Sequence, residues 1–217
     1  MIDASIGAQD DTVCFHERFR RDGIFAAFST IVMRMKRAVL FCALLAIAAA
    51  PKPESLPFDA SGSAIEFTAS KVVLGRQEGK FTRFHGAIAF VEGDAAASSV
   101  SVEIETASVD AGNATLTQHL KSADFFDVAK YPRSTFKSTS IKPADGGVYQ
   151  VTGMLELHGM RKSISFPATI RASANGVEAD AAFPLNRKDF GIEYDGAADN
   201  VIKNDVVIRL RIRAPRS

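Results

Sequence analysis

From Val206 to Arg213 the chain alternates with a period of two: Val206, Ile208, Leu210 and Ile212 are apolar, while Arg209, Arg211 and Arg213 sit between them. Successive side chains on a strand point to opposite faces, so this run lies flat only with one dry and one wet face. Antiparallel sheets with one solvated side produce that pattern. The same period returns in Ile65/Phe67/Ala69, Phe84/Gly86/Ile88/Phe90, Val100/Val102/Ile104, Tyr149/Val151/Gly153/Leu155/Leu157 and Ile164/Phe166/Ala168/Ile170. Glu92-Gly93-Asp94, Asp145-Gly146-Gly147, His158-Gly159 and Asn175-Gly176 separate the runs, and Asn-Gly is the strongest hairpin signal among them. Roughly eight strands at this spacing predict an all-β barrel or sandwich.

One segment breaks the period. Between Asp110 and Tyr131, Leu116 and Leu120 stand four apart with polar residues between them, after Asn113. That spacing predicts a short helix capped by Asn113, ending before Tyr131-Pro132.

The amino-terminal fifth reads as an address. Arg34, Lys36 and Arg37 precede the uncharged run Ala38–Ala50, which is shorter than the roughly 20 residues of a membrane-spanning helix. A brief basic region, an apolar run and an Ala-x-Ala exit are the parts of a secretory signal peptide. Residues 1–32 are read as an upstream extension before the true start, 33–48 as the signal, 49–62 as a lead-in and 63–214 as one β-barrel domain. Arg20-Arg21 fits a twin-arginine signal poorly, and Cys42 lies too deep in the apolar run for a lipidation site. Residues 1–48 contain both cysteines, six basic and five acidic residues; without them the chain has 20 of each charge and no cysteine. A cysteine-free, neutral domain excludes a disulfide scaffold and lacks the basic footprint of a nucleic-acid binder.

Chemistry-bearing patterns are sparse. The chain has no nucleophile elbow, phosphate loop, dinucleotide fingerprint or His-Glu-x-x-His. His85, His119 and His158 are isolated, Glu103 and Glu105 fall on the outward face of their strand, and the Arg209/Arg211/Arg213 stripe reads as a solvated face. No catalytic residue, metal site or cofactor is assigned. What is abundant is apolar interior, with Phe on several inward faces. An eight-stranded barrel either fills with side chains or holds one small ligand, and periodicity does not choose between them.

From Ser63 to Ala214 the chain resembles the YceI family of periplasmic, lipocalin-like polyisoprenoid-binding proteins. The resemblance rests on Gly79–Gly86, Ala107–Asn113, His119–Pro132 with Phe136-Lys137-Ser138, Val151–Lys162 and Asn186–Ile192. It implies an eight-stranded antiparallel lipocalin-like barrel with a short helical insertion and an apolar cavity for an isoprenoid lipid, either a polyprenyl phosphate or an isoprenoid quinone. It implies a periplasmic carrier and not an enzyme. The alternative is a stress-response or partner-binding barrel without a stable lipid. Phe67, Phe84, Phe90, Phe126, Phe136, Leu155, Phe166 and Phe190 are the expected cavity wall; His158 and Arg187, with Asn186, are the expected polar groups at its mouth. Gly153→Phe is expected to fill the cavity and leave the fold intact. The isoprenoid lipid is the expected partner; a homodimer and a transient membrane contact stay open. The front departs from the family pattern at Leu56–Ser63, which predicts a shortened or frayed first strand.

The Ala46-x-Ala48 exit predicts export and cleavage after Ala48. Amino-terminal sequencing of the exported protein is expected to begin at Ala49; residues 1–32 intact on cytosolic protein would contradict it.

Overall fold

The computed structural model describes residues 52–71, 75–196 and 201–216. The proposed upstream extension, the signal sequence and both cysteines lie outside the described residues.

Eleven strands form one antiparallel sheet: β1 (Glu54–Asp59), β2 (Ala64–Lys71), β3 (Arg76–Phe81), β4 (Phe84–Phe90), β5 (Ser99–Glu105), β6 (Val109–Asp110), β7 (Arg133–Pro143), β8 (Val148–Leu157), β9 (Met160–Ser173), β10 (Gly176–Asn186) and β11 (Ile202–Pro215). The helix α1 (Ala114–Lys121) interrupts them where the period changes. Asn113 Oδ1 accepts from the Leu116 N–H at 2.9 Å, the cap the sequence predicts.

The count of eight strands is corrected to eleven, for a local reason. Three passes of the chain each break in two: β1 into β2 around Ser61-Gly62, β3 into β4 at Thr82-Arg83, and β5 into β6 at the 3-10 turn Thr106–Ser108. Hydroxyls hold the last of these corners. Thr106 Oγ1 donates to the Tyr131 carbonyl at 2.6 Å, and Ser108 Oγ to the Glu105 carbonyl at 2.7 Å. The sheet order is β1-β4-β5-β7-β8-β9-β10-β11-β2-β3-β6. Because β1 continues into β2, this order curls the sheet back on itself: β11 pairs with β2 while β1 pairs with β4.

The first strand is neither shortened nor frayed. β1 pairs with β4 over six residues, Glu54↔Phe90 to Asp59↔His85, and buries Leu56 and Phe58. The strand therefore begins inside the segment read as a lead-in, where Pro57 masked it; a proline is tolerated because β1 stands at an end of the hydrogen-bonded order. Two other readings stand. The Asn175-Gly176 hairpin joins β9 to β10. His158 and Gly159, at φ 51° and 74°, make the tight turn between the paired residues Leu157 and Met160.

The alternating faces sort as expected in β11, where Ile212 and Ala214 are buried and Arg209 and Arg211 exposed. Outside, the charges pair across strands: Arg211 with Glu66 at 3.1 Å, Arg213 with Asp180 at 3.2 Å, Arg133 with Glu103 at 3.0 Å and Arg83 with Glu105 at 2.6 Å. The glutamate pair and the arginine stripe are thus outer-face charges, each worth at most about 1 kcal/mol.

Inside, glycine and phenylalanine are placed against each other. Gly79 lies directly across from Phe67, and Gly86 across from Phe58. At both glycines, and at Gly153 beneath Phe136, a Cβ would collide with the tip of the phenyl ring. These rings lean across the sheet into the space that the glycines leave, and so stand less far into the interior.

That packing overturns the expectation for Gly153→Phe: its side chain would run into the Phe136 ring and the Lys137 carbonyl. Even Gly153→Ala is expected to lose about 1–3 kcal/mol through overpacking. Urea melts of the two proteins measure it, and an unchanged midpoint would mean that Phe136 moves aside at no cost.

Candidate functional site

The inward faces enclose two apolar chambers. One, of about 210 Å³, lies beside α1, with Phe81, Leu116, Leu120 and Phe125 in its wall. The other, of about 580 Å³, lies toward the β4–β5 turn and is lined there by Val91, Ala95, Val100 and Ile141. Ile65, Val102, Phe136, Phe166 and Leu210 line both. The chambers therefore adjoin at those five side chains, which form the boundary, or waist, between them.

Two aromatic clusters shape this interior. At the waist, Phe136 lies 5.7 Å from Phe166, and Phe166 stacks on Phe183 at 4.2 Å with only 9° between the planes. In the smaller chamber Phe67, Phe81 and Phe126 meet at tilted and edge-on angles, with centroids 5.5–6.1 Å apart. Such geometries are the favoured ones for aromatic quadrupoles.

Polar groups are few among the described lining residues. At the smaller chamber, Lys71, Gln77, Glu78, Ser134 and Arg187 reach the wall; at the larger, Asp94, Ser98 and Tyr149 do. Arg187 is 5% exposed, and its donors are largely spent on the protein itself. It donates to the carbonyls of Ile192 (2.7 Å), Ile202 and Lys203 (both 3.3 Å), and to the side chains of Asp195 (3.0 Å) and Asn204 (3.3 Å). The guanidinium fork thus ties the segment after β10 to the start of β11. Lys188 shares Asp195 at 2.8 Å. Hydrogen bonds from Lys188 and then Arg187 hold the Asp195 carboxyl below its ordinary value. This pairing supports the fold above the ordinary carboxylate range and is lost as pH falls through the lowered value. Among the described residues no group of three or more His, Cys, Asp or Glu converges closely enough for a metal.

The residues expected from the sequence divide into two sets. Phe67, Phe126, Phe136, Leu155 and Phe166 line the smaller chamber, Phe90 the larger, and Arg187 the smaller chamber's end. Phe84, His158 and Phe190 line neither. Phe84 packs with Leu56, Phe58 and Ile88 in the core beneath β1. Phe190 is 1% exposed and anchors the 3-10 turn Arg187–Phe190. Its carbonyl oxygen lies 3.1 Å from His158 Nδ1, and the His158 ring meets Tyr131 edge-on at 4.6 Å. His158 is a turn residue; Asn186 likewise caps its own 3-10 turn through the Lys188 N–H at 3.0 Å. Sequence reasoning missed Phe81, Leu120 and Phe125 as wall. The Leu116/Leu120 spacing marked one apolar helix face, but nothing local showed that it would cover a chamber.

Residues 57–214 match the model of the YceI-like domain. The chain belongs to the YceI family. A UPF0312 protein of Vibrio cholerae is 34% identical over 176 residues, spanning 76% of this chain and 91% of the relative. Among solved structures, BcnA of Burkholderia cenocepacia superposes with a TM-score of 0.65 at 26% identity, covering 71% of this chain and 98% of BcnA. A polyisoprenoid binding domain from Saccharophagus degradans gives 0.59 at 20% identity, over 76% of this chain and all of that domain, and shows the shared fold. The matched residues 57–214 of this YceI-family chain take in nearly all of the curled sheet.

The Arg187 clamp makes a prediction. A lysine cannot reproduce a fork with five acceptors, so Arg187→Lys is expected to lower stability by about 2 kcal/mol or more in urea melts. An unchanged midpoint would release the guanidinium from this structural role.

Proposed function

We propose that this YceI-family protein is an exported, periplasmic carrier that holds an isoprenoid lipid inside its curled sheet. One observation carries the reading: the inward faces form two adjoining apolar chambers, with few charged groups among their described lining residues. Burying hydrocarbon there is worth about 0.8 kcal/mol per CH2, so a dry interior is sufficient as a binding device without a charged anchor. The solved neighbour that is itself a polyisoprenoid binding domain supports the choice of ligand class. Phe67, Phe126, Phe136, Leu155 and Phe166 would contact one part of the chain, and Phe90 another. Arg187 would act chiefly by holding the end of the smaller chamber in shape. Transfer of so insoluble a cargo would require transient contact with a membrane.

The test is organic extraction of the purified protein and mass spectrometry, then titration of stripped, folded protein with a polyprenyl phosphate and an isoprenoid quinone at low and high salt. Uptake that changes little with salt is expected, because apolar burial dominates and exposed charges are screened. No uptake of either lipid would favour a barrel that works without one. Binding of the phosphate alone, with steep salt dependence, would give the headgroup charge the leading part.

A further inference from the structure

We propose that the waist between the two chambers is a chain-length gauge: a short hydrocarbon occupies one chamber, and only a slender chain that threads Ile65, Val102, Phe136, Phe166 and Leu210 gains both. This rests on the carrier reading and adds to it the feature that selects among ligands.

The waist is aromatic, and its rings are braced from behind. Phe136 already leans across β8 with its tip over Gly153, so it has no room to withdraw further toward the wall. Phe166 is stacked on Phe183 at 4.2 Å, nearly parallel. Val102 lies directly opposite Phe136 across the β5–β7 pair, so its side chain and that ring share one ring of the wall. From the other side of the curled sheet, Leu210 on β11 is paired with Ile65 on β2. Braced rings on one side and a paired Ile and Leu on the other leave this boundary little freedom to widen.

Beyond the waist the rewards are unequal in kind. The larger chamber, near 580 Å³, has room for a chain to coil; the smaller, near 210 Å³, accepts little more than an extended segment. A chain that stops at the waist leaves one chamber's apolar surface uncovered. A chain that passes gains with every added methylene, and a rigid fused-ring lipid cannot follow. The gauge therefore favours long, flexible, narrow hydrocarbons, which is the shape of a linear prenyl chain.

Val102→Trp narrows the waist without adding charge. The experiment compares it with the wild type in binding geraniol, farnesol, geranylgeraniol and solanesol, each kept soluble in the same dilute detergent. Wild-type affinity is expected to climb through the series, by about threefold or more per isoprene unit. In Val102→Trp the climb is expected to stop early, so that solanesol binds no more tightly than the shortest prenol that fills one chamber. Ser101→Trp, on the outward face of the same strand, is expected to keep the wild-type series. Circular dichroism and urea melts establish folding, and where Val102→Trp does not fold, Leu210→Phe makes the smaller addition from the opposite wall. A folded narrowed variant with the full wild-type length dependence would overturn the gauge and leave the carrier reading standing. Failure of the wild type to bind any prenol would instead remove the carrier reading on which it rests.

Discussion

The structure depends on one packing arrangement, phenylalanine leaning over glycine on the inner face of the sheet. A barrel interior lined with full-length phenyl rings pointing to its axis would close. Here Gly79, Gly86 and Gly153 supply shallow places on the wall where Phe67, Phe58 and Phe136 rest. Glycine within a strand costs stability, because it offers nothing to pack and more freedom to lose. The ring that covers it returns the lost contact. The interior is predominantly apolar yet retains two chambers, and the boundary between them is set by where the braced rings stand.

Polar groups enclose this apolar interior and keep its ends in place. The corner between β5 and β6 is made by Thr106 and Ser108, both buried and both donating to carbonyls. At the smaller chamber, Arg187 gathers three carbonyls and two side chains. A buried guanidinium is costly alone and tolerable only when its donors are matched, as they are here. The outer face carries cross-strand ion pairs, while the apolar alternation settles which side faces water. The apolar interior supplies the driving force for binding, and these polar fixtures fix its boundaries.

Much of the fold was legible from local pattern. The alternation in β11 named its dry and wet faces, and the Asn113 cap and Leu116/Leu120 spacing located α1. The outward placing of Glu103 and Glu105 followed from Val100, Val102 and Ile104 facing in. Several readings failed for physical reasons. Pro57 hid β1, because a proline at an edge position does not break a strand. Corners at Ser61-Gly62, Thr82-Arg83 and Thr106–Ser108 turned eight expected passes into eleven strands, and such corners have no hydrophobic period. Phe84, Phe190 and His158 looked like wall or mouth because they neighbour inward positions or turns, whereas each is consumed in packing the frame.

By itself the sequence determined the all-β class and the inward faces, because side-chain alternation is a property of a strand before it finds any partner; the family came from motif resemblance. It also determined that the inward faces are rich in phenylalanine. Whether those rings fill the interior or stand back from it was decided only by tertiary structure. That outcome depends on which glycine lies across from which ring, and register is a relation between strands. The division into two chambers, the waist at Phe136 and Phe166 and the spending of Arg187 on its own loop have the same origin. Each joins residues far apart in the chain, where no local period carries a signal.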